Sequence, residues 1–157
     1  MQKLNSFIDN IENKLAYYQK ADPAVSTSTV GWHMEHTLLV IIKITAALKQ
    51  SEPENYRWKF NINRSIVYAF NTIPRGRGKA PQTVQPTAGI DREHLTKTIL
   101  AARERVLMLE TLPANAHFSH PYFGMLNIEA TIRFLKIHTK HHLKIMDDIV
   151  RSKVVSN

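Results

Sequence analysis

The run RFLKIHTKHHLKIM, residues 133–146, carries the period that governs the chain's architecture and sets three histidines, His138, His141 and His142, inside it. An α-helix advances 100° per residue. With His138 at zero, Phe134, Leu135, His142, Ile145 and Ile149 fall within about 60° of it, and Arg133, Lys136, Lys140, Lys144, Asp147 and Arg151 gather on the opposite side. His138 and His142 therefore lie within the apolar stripe, with His141 at its edge. Helical residues four apart are surface neighbours, so the first two imidazoles can converge on one point. An inward histidine needs a polar partner, and a stripe of isoleucine and phenylalanine supplies none. Two readings stay open at this point: a hydrogen-bonded core pair, or two ligands of a metal ion.

Outward from this helix, about Asn127 to Arg151, the same period recurs three times. Leu4, Phe7, Ile8, Ile11, Leu15 and Tyr18 predict a helix from about Leu4 to Lys20, ended before Asp22-Pro23 because proline disfavours a helical residue ahead of it. The hydroxyl run STST, residues 26–29, is suited to cap a second helix reaching from about Thr29 to Gln50. That helix is apolar nearly all round; its reverse side, with Met34, Leu38, Ile41 and Ile42, needs a cover from the following connection or from a second subunit. Leu95, Ile99, Ala102, Val106 and Leu109 mark a third long helix, from about Asp91 to Leu112, stopped by Pro113. Between the second and third, residues 61–70 predict a short helix, and Pro74, Pro81 and Pro86 with Gly76 and Gly78 predict a loop-like path. No alternating strand pattern stands out. The expectation is one all-α domain over residues 1–157, a four-helix bundle whose long middle connection lets the second and third long helices run the same way.

The second helix adds to the histidine pair. VGWHMEHTLLV, residues 30–40, offers His33 and His36, and His36 shares a face with Val40 and Ala47. His36 is the candidate third ligand and His33 an alternate one turn earlier. Three histidines leave an ion with open positions, the pattern of catalytic rather than structural sites. Zinc or nickel leads on ligand type, though copper and iron also accept imidazole. Glu35 points some 100° away from His36 and is not read as a base.

The order of these motifs, His36 in GWHMEHT and His138 with His142 in HTKHH, resembles the DinB/YfiT-like metalloprotein superfamily, and IPRGRGKAP and FSHPYFGML look like segments of an uncharacterised branch of it. The resemblance extends over nearly the whole chain. It implies an up-down-down-up bundle, one divalent ion on three histidines, and a homodimer. Members include thiol-dependent transferases, a maleylpyruvate isomerase and proteins assigned as metal-dependent hydrolases. What it implies here is a hydrolase, or a transferase using an exogenous low-molecular-weight thiol, acting on a small molecule.

Composition narrows the alternatives. The 157 residues are 43% hydrophobic and 22% charged and contain no cysteine, which removes disulfides, thiolate ligands and a cysteine nucleophile. MQKLNSFIDNIENKL lacks the basic region and continuous apolar block of a secretory signal, and no run is long enough for a membrane span, so a cytoplasmic protein is expected. The formal charge of +8 admits nucleic acid, but the basic residues are dispersed and no helix-turn-helix or aromatic RNA platform accompanies them. RGRGKAP, within the basic stretch 74–79 and beyond, lacks the phosphate-loop pattern, and prolines follow where a helix would start. It is read as a solvated loop, or as a basic segment drawing an anionic substrate to the pocket mouth. HPYFG, with His120 and Tyr122, precedes the ligand-bearing helix and is a candidate pocket segment; His141 is a candidate group behind the ligands. His94 and His117 are read as surface residues, and Trp32, Tyr56, Trp58 and Phe60 as packing. A bundle that holds a metal without catalysis is the rival reading from another class.

Overall fold

Thr29 opens the central helix. In the computed structural model, which describes residues 1–76, 80–86 and 89–152, its hydroxyl accepts from Trp32 N–H at 3.1 Å and starts α2, Val30–Lys49. The preceding segment completes that cap: the carbonyls of Lys20 and Tyr18 accept the first two N–H groups of α2, from Val30 at 2.9 Å and Gly31 at 2.7 Å. Glycine is required at 31, because a Cβ there would sit 2.9 Å from the Tyr18 carbonyl oxygen. This docking explains why α1 is shorter than its period suggests. It spans Gln2–Glu12, and the chain then breaks into a 3-10 turn at Leu15–Tyr17 instead of running on to Lys20.

α3, Ile62–Phe70, is capped by Asn61 and ended by Asn71 in the left-handed conformation (φ 54°). A 3-10 turn at Gln82–Val84 interrupts the long connection that follows. α4, Arg92–Met108, begins on the Asp91 cap and stops before Leu112, although Leu109 is still buried. Two short strands, β1 (His117–His120) and β2 (Gly124–Asn127), then form an antiparallel hairpin that helical periodicity gave no sign of. With four residues each, neither is long enough to display alternation above noise. Asn127 ends β2 and caps α5, Ile128–Arg151, by accepting from Ala130 N–H at 3.1 Å.

Among the described residues the chain is thus mostly helical, with one small sheet. α2 packs against both α4 and α5, and α1 packs against the same two helices. β1 and the 3-10 turns at Leu15–Tyr17 and Gln82–Val84 also lie on α2, which is why it is apolar nearly all round. The cover for its reverse side comes from within the chain: Met34, Leu38 and Ile41 are completely buried. Leu4, Ile8, Ile11, Leu95, Ile99, Leu135 and Met146 complete a continuous core. Two aromatics expected to pack do not. Trp58 and Phe60 are 66% and 67% exposed. Among the described residues, no helix is long and apolar enough to cross a membrane.

Candidate metal centre

His36 sits in the second turn of α2, and His138 and His142 sit one turn apart in the middle of α5. Because α2 and α5 pack directly on one another, the three rings meet. One nitrogen from each lies within 4.8 Å of the other two, and all three residues are buried. His36 Nε2 and His138 Nε2 are 3.3 Å apart. Two imidazole nitrogens bound at about 2.0–2.1 Å to a tetrahedral ion would be roughly 3.3 Å apart, so this edge fits a shared ion.

The hydrogen bonds behind the rings assign their protons. His36 Nδ1 is 2.8 Å from the Val84 carbonyl oxygen, which can only accept, so Nδ1 carries the hydrogen and Nε2 keeps its lone pair toward His138. His142 Nδ1 lies 3.0 Å from His33 Nδ1, and His33 Nε2 lies 2.9 Å from Ser26 Oγ. With His33 donating to the serine, its Nδ1 accepts from His142, and His142 Nε2 is left with a lone pair for an ion. The opposite polarity would put a proton on that nitrogen. A cation held by the three rings would select the first. His138 Nδ1 is buried with no partner among the described residues.

Burial decides the charge state. Desolvation, followed by the neighbouring imidazoles, holds His138 and His142 well below the usual histidine value; desolvation also lowers His36, and brings His33 to about 4. Neutral imidazole is the form that ligates. Trp32, half-buried, stacks on His36 with ring centroids 5.0 Å apart and planes 16° from parallel, fixing the ring from its other face.

The histidines open onto a cleft of about 870 Å³ whose walls include Val40, Ile44, Phe134 and Ile145. His33, His120, Tyr122 and His141 also line it. Each takes a different place. His33 backs His142 through the hydrogen bond above. His141 meets His142 edge-on at 5.0 Å and stays at the cleft wall. His120 holds the hairpin turn, its Nδ1 accepting from the N–H groups of Tyr122 and Phe123 at 3.2 Å each. Its ring stacks on Phe123 and meets Phe134, which in turn packs on His138. Tyr122 is at the rim, 47% exposed. Glu35 faces elsewhere: Oε1 accepts from His94 Nε2 across to α4 at 2.8 Å, so His94, a surface residue as expected, is tied to a buried carboxylate. Of the basic stretch 74–79, Arg75 reaches the cleft, while residues 77–79 lie outside the described residues.

Sequence reasoning missed Val84 and Ser26. A backbone acceptor inside a proline-rich connection has no side-chain signature, and a cap-region serine does not announce a histidine partner. The chain matches no family model, and no curated protein or solved structure matches it either.

Proposed function

We propose that the protein is a DinB/YfiT-like metalloprotein in which His36, His138 and His142 hold one divalent ion, zinc or nickel, at the floor of a small-molecule site. In this reading α1, α2, α4 and α5 form an up-down-down-up four-helix bundle. The observation that carries it is the meeting of three buried, neutral imidazoles on the wall of a large apolar cleft. A divalent ion there would supply Lewis acidity, either bringing the pKa of water toward about 7 for hydrolysis or activating an external thiol for transfer. A chain without cysteine must take that thiol from its surroundings, and a reducing cytoplasm is the fitting compartment.

The chain's own residues do the rest. The Val84 carbonyl and the His33–Ser26 pair hold two rings in ligating orientation. Trp32, Phe134 and Ile145 give the cleft beside the rings an apolar wall. Among the described residues no aspartate or glutamate lines the cleft, so proton movement there would fall to histidine. The same lack of a carboxylate base favours the second reading, a metal-binding or sensing bundle without turnover.

Elemental analysis of wild type against His138→Ala tests the site: about one equivalent of metal in the first and a loss in the second support it, and equal content removes it. Turnover on a panel of thiol-plus-electrophile and ester substrates then separates enzyme from sensor. A homodimer belongs to this proposal as well. Ile62, Ile66 and Phe70, four residues apart along α3, are 59%, 49% and 75% exposed and form an apolar stripe continuous in sequence with Trp58 and Phe60.

A further inference from the structure

On the outer side of His141, the left-handed turn at Asn71 brings the chain from α3 across α5 and encloses a second, smaller pocket of about 230 Å³. Its walls include Arg75 from the connection and Lys140 and Lys144 from α5 and, among the described residues, no carboxylate. Arg75 is paired at 2.6 Å with Asp148, one turn beyond Lys144, and both side chains are about half exposed. Lys140 and Lys144 have no ion-pair partner among the described residues. Like charges four apart on a helix repel, and Arg75 adds a third cation to the same concavity. Among the described residues, three positive groups there face one negative group, an arrangement that an oxyanion would relieve.

Ile73, Arg75 and His141 line both this pocket and the large cleft, so the two cavities share a wall. We infer that the Arg75, Lys140 and Lys144 pocket binds the oxyanion group, phosphate or carboxylate, of a small molecule whose apolar body extends into the cleft beside the histidines. The anion site stands on its own geometry; the placement of the body rests on the function proposed above. The ligand class is therefore an amphipathic anion, with a charged head on α5 and an apolar portion against Phe134 and Ile145.

The test uses full-length metal-free protein at constant ionic strength, followed by amide NMR during titration with inorganic phosphate, phenyl phosphate, benzoate and, as the uncharged control, benzyl alcohol. Phosphate should shift Arg75, Lys140 and Lys144 saturably, and the double variant Lys140→Gln/Lys144→Gln should weaken it at least tenfold while leaving zinc stoichiometry and thermal midpoint as in wild type. Both lysines are exposed, so the fold is not at stake. Diffuse, non-saturating shifts, or equal affinity in the variant, would overturn the anion site. Phenyl phosphate should bind at least tenfold tighter than phosphate and also shift Phe134 and Ile145; equal affinities would overturn the link to the cleft. Comparison of phenyl phosphate with benzoate decides which oxyanion is preferred. Zinc content is measured separately, so loss of metal binding with phosphate binding intact would remove the metal reading alone.

Discussion

His36 and Val84 are 48 residues apart in sequence, yet the imidazole donates from Nδ1 to that carbonyl at 2.8 Å, and this bond turns Nε2 toward His138. The His33 to His142 contact plays the same part on the other helix, one histidine orienting another. Outer partners of this kind typically change metal affinity 10- to 100-fold when removed. His33→Phe should therefore keep the fold and weaken zinc by about 10- to 100-fold, read by competition against a chromophoric chelator. Unchanged affinity would mean that the contact does not orient a ligand.

The bound ion should also stabilise the fold. At a free zinc concentration a hundred times Kd, linkage adds about 2.7 kcal/mol, which raises the thermal midpoint of a domain this size by roughly 5–10 °C. His138→Ala should abolish the zinc-dependent shift. A shift of equal size in that variant would place the ion elsewhere.

The α3 stripe makes a separate prediction. Phe70 is 75% exposed, so Phe70→Glu disturbs no packing within one chain. Light scattering should give twice 18.0 kDa for wild type and 18.0 kDa for the variant. A wild-type monomer would end the dimer proposal.

His120 should make stability sensitive to acid. Burial lowers its folded value to about 4 from 6.5, so between those values the unfolded chain binds the extra proton. Stability is then full above about pH 6.5, declines as pH falls through that window, and is lost by about pH 4, a share on the order of 2–3 kcal/mol. The buried site histidines act in the same direction. His120→Asn keeps a side-chain acceptor for the turn N–H groups and removes the titration. Denaturant melts from pH 7 to 4 should show a shallower decline in the variant. Parallel curves would show that the His120 proton is not linked to folding.

The helix faces were legible because an amphipathic period is a local property, and His138 and His142 kept their inward positions. Thr29, Asn61, Asp91 and Asn127 act as helix caps, through short side chains whose oxygens reach the next N–H groups. The misses have equally physical reasons. α1 ends early because Tyr18 and Lys20 must present carbonyls to α2, a demand made by a different segment. Trp58 and Phe60 look like core residues by type, but residue type does not say whether a neighbouring element covers them.

The sequence by itself determined the period, the hydroxyl cap of the second helix and the spacing of two histidines on one helical face, since each depends on residues within a few positions of one another. Only the tertiary structure decided that His36, rather than His33, joins the pair, and that Val84 and Ser26 stand behind them. Those relations depend on how α2 seats against α5 and where the connection crosses, which is set by core packing summed over the whole chain.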